Sequence, residues 1–404
     1  MVVKLETLFE SIEEDRLLKI IGDLISIPSH LEVAGSEKQI AEFMRDTVVE
    51  MGLHVDVQEV IDNRSNIIVK LEGDGTGRSL AFNGHLDTVP PGMKMKDPYR
   101  PVVKNGRIYG RGSCDMKGAV GAMIYTLFLL KKTGLSLKGD LYLTGVVGEE
   151  TGGTGTRYLV KHGFKPDFAV VGEPTDLELV TSHKGVCHIS VTVKGRSCHG
   201  SVPDQGSNAI GAVSDFIQSM KEKLVPKLEK RTQKHVGSAT LNIGKIIGGT
   251  KVNMVADRCT LELDRRWVRG ESLKLIASEI EDLINEVCKK DPGLQAEVKV
   301  LYPDDAYYGP LSVPEDHEII RLVKDSLEGI GKNPEVAGMQ GWTDAATLFH
   351  SGIPSVVFGP GSIRQAHTDD EWVEIGQLIE AVKCYTAIAA SVCGVAGTSK
   401  QTGS

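Results

Sequence analysis

Three apolar runs in this chain each end in a glycine-bearing turn that carries an acid or an imidazole. They are SLAFNGHLDTVP at 79–90, DLYLTGVVGEE at 140–150 and DFAVVGEPT at 167–175. Runs of this length and apolarity, broken by such turns, read as short buried strands. Segments of helical period lie around them. Residues 7–29 read as a helix ending near Ser26-Ile27-Pro28, and 35–52 as another with Ile40, Phe43, Met44 and Val48 near helical spacing. HVDVQEV and NIIVKLEG alternate like strands, and GAVGAMIYTLFLLKKTG is an apolar helix stopped by Gly134. This alternation of strands and helices specifies an α/β layered fold. The polar turns then fall at strand ends, where such sheets bind ligands.

The texture changes after residue 182. GVCHISVTVKG, ATLNIGKIIGG, MVADRCTLELDRRW and QAEVKVLYP read as four strands, and SNAIGAVSDFIQSMKEKL and ESLKLIASEIEDLINEVCKK as two helices. Together they make a compact α+β unit of ferredoxin-like content. Helix resumes at DHEIIRLVKDSLEGIG, strand at PSVVFGPG, and a final helix at EIGQLIEAVKCYTAIAASVCG. At 404 residues the chain exceeds one ordinary core. The expected organisation is one domain at 1–182 and 301–404, the part that carries the polar turns, interrupted by a second at 183–300. The last ~8 residues, in the small polar tail GVAGTSKQTGS, are expected to be disordered.

Composition narrows the partners. The net charge is −8 and the lysines at 221–234 are interleaved with glutamates, which argues against nucleic acid. No apolar run is long enough to span a bilayer, and the acidic start MVVKLETLFESIEED lacks the apolar core of a signal peptide. The seven cysteines are odd in number and have no CxxC spacing, the pattern of reduced thiols in a cytoplasmic protein.

The turns hold His85 and Asp87 in GHLDTVP, Asp115 in GRGSCDMKG, Glu149-Glu150, Glu173 in GEPT and His367 in QAHTDDE. Two imidazoles and several carboxylates suit two divalent metal ions about 3.5–4 Å apart that activate water between them. Asp115 has the chemistry of a shared ligand, one oxygen for each metal. Asp87 lies two residues beyond His85, on the same side if the strand continues, and so is placed to accept the other ring N–H of His85. Glu149 and Glu150 are adjacent and point apart, so one can ligate while the other moves protons. Each residue alone also has a plain explanation. A lone His or Asp in a turn is usually a hydrogen-bonded loop residue, and two glutamates can simply favour a helix N-terminus.

The ordered set GHLDTVP, GRGSCDMKGA, GEE, GEPT, GRSCHGSVPDQGSNAI, GGTKVNMVAD and GPGSIRQAHTDDEWV resembles the dinuclear zinc amidohydrolases. That family includes acetylornithine deacetylase, succinyl-diaminopimelate desuccinylase, aminoacylase-1 and glutamate carboxypeptidase. The resemblance runs from SIPS near residue 26 to the final helix. It implies a discontinuous α/β/α zinc-hydrolase catalytic domain with an inserted α+β lid and dimerisation domain. It assigns His85 and Glu173 to one metal, Glu150 and His367 to the other, and Asp115 to both. Asp87 would orient His85, and Glu149 would act as general base and then acid. His199 in CHGSVP would stabilise the oxyanion from its own or a partner subunit. Asn253, Arg266 and Gly361 would contact substrate, although Arg266 could instead pair with Asp264, Asn253 cap a turn and Gly361 belong only to one. DRRWVRG lacks the family's usual proline, which leaves Arg265 and Arg266 as competitors; the alignment favours Arg266.

The implied enzyme is a cytoplasmic homodimer with two divalent ions, zinc with cobalt or manganese as substitutes. It would cleave the amide bond of an N-acyl amino acid and would have no nucleic-acid or membrane partner. A dipeptidase or carboxypeptidase of the same chemistry is the alternative. A non-catalytic binding or scaffold relative is the third reading, opposed by the complete donor set.

Overall fold

The computed structural model describes residues 5–301 and 308–396. The chain divides into two compact units. The first holds Met1–Thr181, Val313–Ala337 and Thr343–Ser404, and the second holds Ser182–Ser312 and Gly338–Trp342. The expected disordered tail lies largely outside the described residues.

The first unit is built on a sheet ordered His54–Ile61, Arg64–Leu71, Leu141–Val146, Leu80–His85, Phe168–Val171, Ser355–Val357 and Leu179–His183. Leu80–His85 runs parallel to both Leu141–Val146 and Phe168–Val171, and Ser355–Val357 runs parallel to Phe168–Val171. The flanking strands are antiparallel. Every residue of Leu80–His85 and Phe168–Val171 is buried, as central strands require. The helix Lys117–Thr133 is buried from Lys117 through Leu130 and packs on Glu14–Ile25 and Ile375–Val392. Its close approach to the sheet needs Gly84, where a Cβ would lie 2.7 Å from Val120 Cγ2. Gly134 ends the helix in a left-handed conformation at φ +70°.

Two local expectations are corrected. The helix expected over 7–29 is two helices, Leu5–Glu10 and Glu14–Ile25. Between them Ser11 Oγ donates to Leu8 O, and the Glu13 N–H donates to Tyr125 Oη. These bonds replace those that a continuous helix would make. The second helix stops at Ile25 because Pro28 disfavours helical backbone at Ile27. The sequence reading also missed a small sheet of Val102–Lys104, Arg107–Tyr109 and Trp372–Glu374. Its strands are only three residues long, too short for a period to register.

The second unit has four antiparallel strands in the order Thr240–Gly248, Arg258–Trp267, Gly185–Lys194 and Gln295–Val300. In chain order this is β-α-β-β-α-β, the ferredoxin-like arrangement. The helices Ala209–Ser219 and Leu273–Cys288 cover one face. Phe216, Ile276, Ile280 and Trp267 close the core against Val191 and Leu261. The expected helix through 224 loosens into a π-helical turn at Met220–Leu224, next to Pro226, which has no N–H to donate. The unit runs to Ser312, beyond the 300 expected from sequence, because Leu311 pairs with His183 and the Gln233 side chain donates to Leu311 O. Among the described residues no helix is long and apolar enough to cross a membrane.

Candidate active site

The carboxyl ends of the parallel strands deliver the site within the first unit. His85 is the last residue of its strand and lies opposite Val146, four residues before Glu150. Glu173 follows Val171 by two residues. Asp115 sits in the turn that opens the buried helix, and the Asp115–Met116 peptide is cis. His367 comes from a loop of the C-terminal segment and has φ +62°.

Two donor groups result. His85, Asp115 and Glu173 form one, and Asp115, Glu150 and His367 the other, with donor atoms in each within 4.8 Å of one another. Asp115 belongs to both. Its Oδ1 lies 3.0 Å from His85 Nε2, and its Oδ2 lies 3.2 Å from His367 Nε2. Glu173 Oε1 is 3.6 Å from His85 Nε2, and Glu150 Oε1 is 3.0 Å from His367 Nε2. Ligands bound at about 2.1 Å in a tetrahedral site stand about 3.4 Å apart, so both groups fit a divalent cation with little adjustment.

The charge balance argues the same way. Burial, then the Asp115 carboxylate, pushes Glu173 well above the usual carboxylate range; burial, then Glu173, does the same to Glu149. Hydrogen bonds to Asp115 and Glu150 raise His367 to about 10. His85 is raised well above its usual value against the effect of burial, by Glu173, Asp115 and Asp87. Burial and neighbouring carboxylates thus hold protons on Glu149 and Glu173, while those carboxylates hold protons on His85 and His367. Two dications would relieve both.

Asp87 meets His85 through its main chain as well as its carboxylate. His85 Nδ1 lies 2.9 Å from the Asp87 main-chain carbonyl, which only accepts, so Nδ1 carries the hydrogen and Nε2 is left to ligate. The Asp87 carboxylate is farther, at 3.5 Å. Its two oxygens accept the N–H groups of Glu149 (3.1 Å) and Glu150 (3.0 Å). The strand ends at His85, so Asp87 lies in the turn beyond it, where its carboxylate can serve both the imidazole and the following turn. Asp87 therefore holds the acid-bearing turn as well as lending charge to the imidazole.

Glu149 belongs to neither donor group. It is half-buried, with its N–H fixed by Asp87 and its carboxyl raised. Gly361 is also placed differently. Its N–H donates to Gln377 Oε1 at 2.6 Å and that of Gly359 to Thr175 Oγ1 at 3.1 Å, so a carboxylate role for Gly361 requires displacing Gln377. Gly361 has a packing role: at φ +87°, a Cβ there would lie 2.6 Å from Cys114 Sγ.

The other expected residues lie in the second unit. His199 is exposed, and its Nδ1 accepts the Ser201 N–H at 3.2 Å, which leaves Nε2 to carry a hydrogen outward. Gly200 N donates to Asn253 O at 2.8 Å, so His199 and Asn253 sit on paired loops. Arg265 is buried and bound to Glu271, whereas Arg266 is half-exposed and pairs through Nε with Asp264 at 2.9 Å.

Sequence reasoning missed several buried acids around the turns. Glu37, paired with Arg64, accepts the Gly148 N–H at 3.0 Å beside Glu149. Asp344 accepts from Thr156 Oγ1 at 2.7 Å, and burial raises it to about 6. Glu371 accepts from the Asp115 turn. Nothing in the spacing of these acids sets them apart; only the TDDE run beside His367 hinted at one.

A pair of cation positions sharing one buried carboxylate, with a spare acid alongside, is the arrangement of a metal-dependent hydrolase. The sequence matches peptidase family M20/M25/M40 over residues 81–391, and the chain belongs to that family. Acetylornithine deacetylase of Shigella sonnei (strain Ss046) is 32% identical over 372 residues, 88% of this chain and 92% of its own length. Acetylornithine deacetylase of Myxococcus xanthus is 29% identical, covering 91% and 90%. An N-formyl-4-amino-5-aminomethyl-2-methylpyrimidine deformylase of Bacillus subtilis (strain 168) is 28% identical, covering 96% and 97%. Among solved structures, a tripeptidase from Staphylococcus aureus superposes with a TM-score of 0.81 at 25% identity, over 95% of this chain and 99% of its own. The protein is a metal-dependent amidohydrolase.

Proposed function

We propose that the chain hydrolyses the amide bond of an N-acyl amino acid, with two zinc ions held by His85, Asp115, Glu150, Glu173 and His367. The observation that carries this reading is the division of the Asp115 carboxylate between two imidazoles while Glu149 stays outside both donor groups. When bound, the ions supply Lewis acidity and make a water acidic near neutral pH. Glu149 takes a proton from that water as its oxygen bonds to the amide carbon. The C–N bond then breaks, and Glu149 returns the proton to the departing nitrogen. Asp87 keeps Glu149 aimed through its main-chain N–H, and the Asp87 carbonyl keeps Nε2 of His85 available. In this reading His199, of this chain or of a second copy, offers its Nε2–H to the developing oxyanion, and Asn253 and Arg266 meet the rest of the substrate. The seven cysteines are all free thiols, in keeping with the cytoplasm.

The named deacetylases among the relatives support the acyl amino acid. The likeness to a tripeptidase favours a second reading, in which a short peptide fills the same site. The deciding experiment strips the protein with chelator, restores two equivalents of zinc and measures amine release. The panel holds N-acetylornithine, N-succinyl-diaminopimelate, other N-acyl amino acids and dipeptides. Zinc-dependent cleavage of an acylated member is expected. Preference for dipeptides would move the chain to the peptidase reading, and failure to bind metal would overturn both. The proposed homodimer is checked by sedimentation, which should give twice the chain mass.

A further inference from the structure

We infer that Glu371 is a positioning residue for the metal pair, acting together with Arg111 to tie the bridging carboxylate of Asp115 to the strand that follows His367. The inference rests on the two-metal reading above. Glu371 is 1% exposed, and its carboxylate accepts four hydrogen bonds. Oε1 takes the N–H groups of Cys114 (2.9 Å) and Asp115 (3.0 Å). Oε2 takes the Gly112 N–H (3.0 Å) and Arg111 Nη1 (2.6 Å). Arg111, also 1% exposed, donates through Nη2 to Thr368 O at 3.2 Å, the residue next to His367. The loop bearing one donor and the turn bearing the shared donor are thus cross-linked in both directions.

The small three-stranded sheet puts Glu371 there. Trp372 pairs with Tyr109 and Val373 with Ile108, and Gly110 N donates to Glu371 O at 3.2 Å, so the ladder fixes Glu371 opposite the start of the turn. The turn needs such a partner. The N–H groups of Gly112, Cys114 and Asp115 have no strand or helix carbonyl to meet, and buried N–H groups left unpaired are costly. A neutral acceptor could satisfy one or two of them. A buried carboxylate satisfies three and is itself balanced by Arg111. Because one of the three belongs to Asp115, backbone drift there would move both carboxylate oxygens against His85 and His367 together. Partners that orient ligands in this way typically change metal affinity by about 10–100-fold when removed.

The test compares the chelator-stripped parent with Glu371→Ala and Glu371→Gln. Zinc affinity is read by competition with a chromophoric chelator, coordination by the visible spectrum of the cobalt-loaded protein, and metal-free fold by circular dichroism and thermal melting. In Glu371→Ala at least one of two zinc equivalents should bind about 10–100-fold more weakly, with an altered cobalt spectrum. Glu371→Gln keeps an oxygen for Cys114 and Asp115 but turns an NH2 toward Gly112 and Arg111, so its affinity should fall between the other two. A folded Glu371→Ala that binds both equivalents like the parent, with the parent spectrum, overturns the inference. If that variant does not fold, parent-like affinity and spectrum in Glu371→Gln overturn it. Failure of both to fold, or a loss of affinity matched by equal loss of metal-free stability, assigns Glu371 to the fold alone and also overturns it. A parent that takes up no metal would defeat the two-metal reading itself. A two-metal parent matched by its variants would defeat only this inference.

Discussion

The two units hold their candidate functional residues in opposite ways. In the first, His85, Asp115 and Glu173 are buried, Glu150 and His367 complete the donors nearer the surface, and the turns that carry them are pinned through their backbone N–H groups by Asp87, Glu37 and Glu371. In the second, His199 and Asn253 are exposed on loops, and Arg266 is half-exposed beside one acid. The difference matches the roles proposed for each group. Donor atoms serving two cations must hold their spacing to a few tenths of an ångström, which needs rigid support. Groups that meet a substrate must admit and release it, which suits exposed loops. Metal binding should therefore respond to variants in the first unit and not to variants in the second.

The largest effect should come from Glu149→Gln. Uptake of two zinc ions should persist, because Glu149 is in neither donor group, while turnover falls by about 10³–10⁴-fold. Metal analysis and steady-state kinetics on the same sample check this. Turnover within tenfold of the parent would remove Glu149 from the chemistry. Next in size, His199→Gln should lower kcat by about 10²–10³-fold, the usual cost of one oxyanion donor, without altering zinc affinity. A change in zinc affinity there would break the division between the units. Asp87→Ala should cost about 10–100-fold in kcat/KM and weaken zinc at the Glu150 side. The Asp87 carbonyl still fixes the His85 tautomer, but the Glu149–Glu150 turn loses both acceptors. An unchanged kcat/KM would mean that the turn holds itself.

Much of this was legible in the sequence because it depends on local signals. Apolar runs such as Phe168–Val171 announce central strands, and an acid just beyond a strand end announces a site. Glycines at 84 and 134 punctuate as their environments demand. The supporting layer was not legible. Glu371 and Asp115 are 256 residues apart, and Glu37 and Gly148 are 111 apart. No local pattern distinguishes an acid that will accept buried N–H groups from one that will face water. The second task of Asp87, holding the Glu149–Glu150 turn, was hidden for a related reason. The i+2 spacing of Asp87 from His85 carries meaning only inside a strand, and where the strand stops is a property of the whole sheet.

The smallest effect on catalysis, and the sharpest test of the comparison, concerns the adjacent arginines. Alternation along Arg258–Trp267 sends neighbouring side chains to opposite faces. Arg265 goes inward to Glu271, which also binds Arg231 and accepts the Val268 N–H at 2.9 Å. Removing Arg265 costs Glu271 one of its partners while Arg231 still balances its charge, so Arg265→Ala should destabilise the fold by about 1.5–3 kcal/mol. Arg266 goes outward and meets Asp264 through Nε. An exposed pair of this kind adds little stability, so Arg266→Ala should leave the melting temperature nearly unchanged. If its planar fork receives a substrate carboxylate, KM should rise about tenfold while kcat stays within about twofold, the pattern of lost uniform binding. Arg266→Lys should recover only part of it, since an ammonium cannot engage both oxygens in parallel. A stable Arg265→Ala with raised KM, beside an unaffected Arg266→Ala, would reverse the two assignments and put a buried arginine in the substrate's path.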